Sequence, residues 1–228
     1  MRILAVDAAT EACSVALLAD GQLLVRSLES GKSSVPKILG MAEDVLSEAQ
    51  FSLSMLDGIA ASIGPGSFTG VRISVAVAQG LAFGAGLKVV PVTTLEALAL
   101  EVLSEPGVRA VACLDARMGE VYWGCFAADA LRGVIECSAP RVGSPDTVTL
   151  IAPGPYVGIG RGFSAYPTLA GMLGLELGAA QSMALPDARQ IARLGALRFT
   201  GGSLDPVELM PLYIRDKVAL TEAERAQV

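Results

Sequence analysis

Apolar runs that end on a carboxylate alternate along this chain with stretches of helical period. Arg2 to Asp7 is apolar between its charged ends, the pattern of a buried strand. Cys13 to Ala19 and Leu23 to Leu28 are two further strand-like runs, with the hairpin signal Asp20-Gly21 between them. The three predict an antiparallel meander whose first turn is Ala8-Ala9-Thr10-Glu11. Ser33 or Ser34 can cap a helix running to about Ala49, since Val35, Ile38, Leu39, Ala42, Val45, Leu46 and Ala49 recur at helical spacing. Ile59 to Ile63 reads as a strand broken by Gly64-Pro65-Gly66. A helix over Phe68 to Phe83, a strand over Val89 to Val92 and a helix over Leu95 to Leu103 follow. Strand-helix-strand order after a meander predicts an α/β domain with a mixed sheet.

The pattern restarts near Pro106-Gly107. Arg109 to Asp115 is again an apolar run ending in Asp, and the polar turn Ala116-Arg117-Met118-Gly119 leads into a strand over Glu120 to Ala127. A shift of 108 residues lays Asp7 on Asp115, so an internal duplication is expected, divided into residues 1–105 and 106–228. The second copy lacks the long helices of the first. It offers one strand at Tyr156 to Ile159 within a Pro- and Gly-rich stretch, a helix over Asp187 to Arg198, a strand at Leu212 to Ile214 and a frayed tail after Ala219. A carboxylate at a strand end can hold a hydrated magnesium ion while turn amides and a hydroxyl cradle phosphate. Two such units facing across a cleft are the plan of the actin, Hsp70 and sugar-kinase folds. Asp7, Thr10 and Asp115 are therefore the candidate nucleotide-cleft residues. Yet the turns read Ala8-Ala9 and Ala116-Arg117-Met118, where close approach to phosphate favours glycine. Inherited architecture with weak or no nucleotide binding is the expectation.

Composition narrows the chemistry. The chain of 228 residues has no histidine, which removes imidazole as base, nucleophile partner or metal ligand. Its four cysteines show no Cys-x-x-Cys spacing, so zinc is not expected and reduced, mostly buried thiols are. A net charge of −6 disfavours independent binding of nucleic acid, and Arg189, Arg193 and Arg198 read as a solvated helix face. Hydrophobic residues make up 52% of the chain and the mean hydropathy is +0.54, an excess that a membrane or a partner must absorb. The richest stretch, Ile73 to Val92, is interrupted by Ser74, Gln79, Lys88 and glycines, so no membrane span is expected. The amino terminus reaches Asp7 too early for a signal peptide, which points to the cytoplasm. The small residues Ala76, Ala78, Gly80 and Ala82, with the apolar content of the first two helices, suggest a partner surface.

Gly64-Pro65-Gly66-Ser67-Phe68-Thr69-Gly70-Val71-Arg72 is the most distinctive stretch. Two glycines around a proline fix a turn, and Ser67 or Thr69 can cap the next helix. That helix start suits an anion or a plain strand-to-helix elbow equally, and no Lys follows Gly70 to make a phosphate loop.

With Ile3 to Thr10, Cys13 to Leu17, Asp115-Ala116-Arg117-Met118-Gly119-Glu120-Val121-Tyr122 and Pro211 to Arg215, this stretch makes the whole chain resemble the bacterial TsaB family, also called YeaZ. The resemblance implies a duplicated actin/Hsp70/sugar-kinase-like fold with a degenerate second half. It implies a non-catalytic subunit in threonylcarbamoyl modification of adenosine 37 in tRNAs reading codons that begin with A. Such a subunit pairs with and activates its paralogue TsaD, with the ATPase TsaE as further partner, or pairs with itself when TsaD is absent. It meets tRNA only through that complex. Carried over, the signature loop is Gly64, Pro65, Gly66, Ser67, Thr69, Gly70 and Arg72. The partner interface falls on Ile38, Leu39, Ala42, Val45 and Leu46 of the first helix and Val71, Val75, Ala78 and Ala82 of the second. No cofactor is implied for the isolated protein, with ATP or ADP at most at a subunit junction. The paralogue holds its metal through a His-x-x-x-His pair on the first helix, which a chain without histidine cannot do. Ser34-Val35-Pro36-Lys37-Ile38-Leu39-Gly40 departs from the usual family start of that helix. A peptidase of the glycoprotease-like group and a free-standing ATP-binding kinase-like protein are the competing readings.

Overall fold

The computed structural model describes residues 1–29, 35–103 and 107–215. The first half forms a five-stranded mixed sheet from β1 (Arg2–Asp7), β2 (Ala12–Ala19), β3 (Gln22–Glu29), β4 (Gly58–Ser62) and β5 (Lys88–Val92), in the order β3-β2-β1-β4-β5. The meander is antiparallel as the pattern predicts, and β4 and β5 add in parallel. Asp20 and Gly21 both take positive φ, 51° and 86°, the geometry a two-residue hairpin requires. The helices are α1 (Val35–Glu48), α2 (Phe68–Ala85) and α3 (Thr94–Val102). The caps foreseen at Ser33 and Ser34 lie outside the described residues, as does the tail after Ala219.

The second sheet contains β6 (Arg109–Arg117), β7 (Glu120–Asp129), β8 (Gly133–Glu136), β9 (Arg141–Gly143) and β10 (Tyr156–Ile159). β6 and β7 form an antiparallel hairpin, and β10 joins β6 in parallel as β4 joins β1. This is the duplication legible in the sequence. The short helices α4 (Arg161–Ala165), α5 (Thr168–Met172) and α6 (Ala179–Met183), and strands β8 and β9, were not foreseen; each is too short to show a period. Leu212 to Ile214 is not a strand. It is an irregular segment whose Leu212 amide donates to the Ile63 carbonyl, 2.7 Å.

The layers explain where the apolar surplus goes. α1 and α2 cover one face of the first sheet, burying Ile38, Val45, Val75 and Ala78 against Leu4, Val6 and Ile59. Its other face meets α7 (Ala188–Gly202), which packs across β1, β2, β4 and β5. α3 packs on β6, β7 and β8, and touches α7. The two helices thus share one core between the sheets, with Ile3, Leu95, Leu98, Phe126, Ile191 and Leu194 fully buried. α4 and α5 close the far face of the second sheet around Trp123, Phe163 and Leu169. The two sheets take their strands from residues 2–92 and 109–159, and the helices do not follow that split: α7 comes after the second sheet in the chain and covers the first. α2 is long and apolar enough to cross a membrane by length and composition alone, and seven of its residues are buried, four of them in the cluster between α1, α2 and the first sheet.

Candidate functional site

The ends of β1 and β6 point their turns at one another across a cleft of about 450 Å³. One wall is Ala9, Thr10 and Glu11 with the Pro65 to Phe68 elbow. The other is Leu114 to Met118 with Tyr122 and Arg161, and Leu212 to Arg215 close one side.

Of the three candidate cleft residues, Thr10 and Asp115 line this space and Asp7 does not. Asp7 is fully buried and turned back toward β4 and α2. Its Oδ1 accepts from the Ser62 hydroxyl and from the Ala9 amide, while Oδ2 has no hydrogen-bond partner among the described residues. Ser74 Oγ accepts from the Ala8 amide, 2.7 Å, and lies 3.1 Å from Ser62 Oγ. Burial pushes the Asp7 carboxyl up to about 6, against the pull of the Ser62 and Ala9 hydrogen bonds. The carboxylate therefore fastens the turn from beneath. It is not aimed at a ligand.

Arg117 spans the cleft between the two turns. It and Met118 adopt left-handed φ of 61° and 57° after an irregularity in the β6–β7 ladder. Its guanidinium binds Asp115 at 2.8 Å and reaches across to Glu11 at 2.7 Å. Asp115 is spent on that cation and on the Arg117 amide, 2.8 Å. Thr10 Oγ1, like Asp7 Oδ2, has no hydrogen-bond partner among the described residues. The residues present do not fit a metal-bound triphosphate: one carboxylate faces away, and the other is neutralised.

The signature stretch builds an elbow that seats the first turn. A Cβ on Gly66 would lie 2.2 Å from the Ala9 carbonyl oxygen, and one on Gly70 would lie 2.0 Å from that of Ala8, so only glycine lets the loop approach this closely. The Ser67 amide donates to the Ala9 carbonyl, 2.7 Å, and Ser67 Oγ accepts from the Gly70 amide. Ser67 is the cap, and Thr69 is exposed. Arg72 lies 3.5 Å from the Phe68 ring centre and donates to the Tyr213 hydroxyl, 2.7 Å.

The interface residues require correction. Ile38, Ala42, Val45, Leu46, Val71, Val75, Ala78 and Ala82 are all buried in the chain's own core. Of the nine, only Leu39 is exposed, at 40%. The amphipathic stripe of each helix is consumed by the first sheet. Outward face Val35 and Leu39 of α1, with Arg72, Ala76, Gly80 and the 83%-exposed Phe83 of α2. Arg198 is corrected too: it pairs with Glu96 at 2.8 Å and is largely buried, apart from Arg189 and Arg193. Sequence reasoning missed Tyr213, Arg215 and the Ser62–Ser74 pair. The signal for Arg117 lay in its own string, a long cation where a phosphate turn wants glycine.

Two lobes, each a hairpin extended by a parallel strand and meeting at a cleft between carboxylate turns, define a duplicated α/β protein of the actin/Hsp70/sugar-kinase class. Residues 29–131 match the family model "TsaD: tRNA N6-adenosine threonylcarbamoyltransferase". The chain is 37% identical to the tRNA threonylcarbamoyladenosine biosynthesis protein TsaB of Escherichia coli over 96% of both chains. It is 32% identical to that of Haemophilus influenzae, over 96% of this chain and 95% of the other. YeaZ from Pseudomonas aeruginosa superimposes with a TM-score of 0.83 at 33% identity, covering 93% of this chain and 99% of that one. The chain belongs to the TsaB family of tRNA threonylcarbamoyladenosine biosynthesis proteins.

Proposed function

We propose that this chain is a non-catalytic subunit required for threonylcarbamoyl modification of adenosine 37 in tRNAs reading codons that begin with A. It acts by pairing with TsaD and activating it, with TsaE as further partner, and meets tRNA only through that assembly. The observation that carries this reading is the cleft spanned by Arg117, whose guanidinium pairs with Glu11 on one wall and Asp115 on the other, so that no free carboxylate is left there to hold a metal-bound phosphate. The peptidase reading gains nothing from Ser74, which is fully buried with its hydroxyl accepting from the Ala8 amide. The surface offered to TsaD is the outer face of α1 and α2, where Leu39 and Phe83 are exposed. The same face serves a second copy when TsaD is absent. In this reading the isolated chain binds no nucleotide, and ATP or ADP lodges only at the junction with a partner.

Reconstitution tests it. TsaD and TsaE with tRNA and the threonylcarbamoyl donor are expected to form the modified nucleoside only when this chain is added. Full modification in its absence would overturn the proposal. Titration calorimetry of the chain alone with Mg-ATP is expected to show no heat of binding. Tight binding lost in Asp115→Asn would favour the kinase-like alternative instead.

A further inference from the structure

We propose that Cys125 and Cys137 are a dithiol site, convertible to a disulfide that staples β7 to the chain leaving β8. The ladder puts them together. Phe126 with Glu136 is the last pair of the β7–β8 ladder, and Cys125 and Cys137 are the next residues beyond it, Cys137 just past the end of β8. The Cys137 amide donates to the Cys125 carbonyl at 2.8 Å, and the Ser138 amide reaches the same oxygen at 3.4 Å, so the backbones of the two cysteines stay bonded where the strands part. Residues directly opposed in an antiparallel ladder have Cα atoms about 4.5–5.5 Å apart, inside the span a disulfide bridges.

Both side chains lie on the same face of the sheet. Cys125 belongs to the cluster of Val121, Trp123 and Phe163, and Cys137 packs against that cluster. The other thiols are excluded by position. Cys113 also faces this cluster, but β6 pairs it with Trp123, so it sits diagonal to Cys125, about 7–8 Å away. Its Sγ is committed to the space above Gly162, 2.3 Å from where a Cβ there would stand. Cys13 belongs to the core of the first sheet.

Exposure sets the order of events. Cys137 is partly exposed while Cys125 is buried, and burial pushes the Cys125 thiol up. With a small-molecule disulfide such as oxidised glutathione, the Cys137 thiolate attacks one sulfur and releases one glutathione thiolate. The Cys125 thiol then gives up its proton to solvent and attacks Cys137 Sγ in the mixed disulfide, releasing the second glutathione. Two protein thiols are oxidised, one glutathione disulfide is reduced to two thiols, and no other reactant is needed.

The test is to incubate the full chain with oxidised glutathione and then count thiols in denaturant. Free thiols are expected to fall from four to two, with peptide mapping finding one Cys125–Cys137 bridge and dithiothreitol restoring all four. Cys137→Ser is expected to abolish the bridge, and Cys113→Ser to leave it unchanged. The oxidised chain should melt at a higher temperature than the reduced one. A glutathione adduct that stays on Cys137 without bridging, a bridge to Cys113, or four thiols unchanged after prolonged incubation would each overturn the proposal.

Discussion

Asp7 shows how a residue can keep its place in a duplicated pattern and lose its role there. It ends β1 as Asp115 lies near the end of β6, but the side chain is buried beneath its turn, with one oxygen satisfied and the other not. A carboxyl raised from 3.8 to about 6 in the folded chain has a definite sign for stability. Between those values the folded state holds a proton that the unfolded state has released, so stability falls as pH rises through the window. Above it the full penalty remains, about 3 kcal/mol at most. Asp7→Asn removes the charge while keeping the shape and the acceptor for Ser62 and Ala9. Urea titrations are therefore expected to show this variant gaining on the parent as pH rises from 4 to 6.5, with the gap constant above 7. Parallel stability curves across that range would show that Asp7 is not the titrating group. Nothing in the sequence marks this inversion. The pattern "apolar run, then Asp" is the same whether the carboxylate faces cleft or core, and its partner Ser62 lies 55 residues further along the chain.

Among the elements, α1 and α2 were located to within a few residues, and their outward faces were misjudged for a physical reason. Helical spacing identifies the side of a helix that needs covering, and it cannot say whether a sheet of the same chain or another protein covers it. Here the stripe through Ile38, Ala42 and Val45 meets Leu4 and Val6, and the residues left outside are Leu39, at the edge of the α1 stripe, and Phe83. The two kinds of position are separable by substitution. Ile38→Ala empties a fully buried site and is expected to cost about 2–5 kcal/mol in denaturant melts, with binding of TsaD altered only through loss of fold. Leu39→Asp with Phe83→Asp is expected to leave the melting temperature within a few degrees of the parent while weakening capture of TsaD at least tenfold. If the surface pair unfolds the chain, or if TsaD binds it as tightly as the parent, the outer face is not the docking surface. The elbow after β4 was more legible. The Gly-Pro-Gly string before a helical period predicts a turn into a helix, and the structure adds that Gly66 makes room for the Ala9 carbonyl and Gly70 for that of Ala8.

At the scale of the whole molecule, the question is whether the two sheets are two folding units. Three features tie them. Arg117 spans the cleft to Glu11, with 70% and 42% of the two side chains exposed, so the bond is worth under about 1 kcal/mol. The Leu204 to Arg215 segment runs from β5, where Leu204 pairs with Val89, past Gln79 of α2, and ends with Arg215 bound to Glu120 of β7. The third is the shared core. Ile191 and Leu194 of α7 are fully buried between the sheets, and at roughly 1.5–3 kcal/mol each these two contribute several times what an exposed ion pair does. The core therefore outweighs both ion pairs. Removing the bridges with Glu11→Gln and Arg215→Ala is expected to speed amide exchange in the turns at 8–11 and 115–119 while unfolding remains one transition, coincident by far-UV and near-UV circular dichroism. The duplication predicts the opposite, two lobes melting apart, because repeated halves that evolved as units need not depend on each other. A fragment of residues 1–105 decides between them. Without α7 it exposes Ile3, Ala60 and Val90, and it is expected to show no cooperative melt and no dispersed amide spectrum. A folded, cooperatively melting fragment would mean that the first sheet stands without the helix that the second half sends back to it.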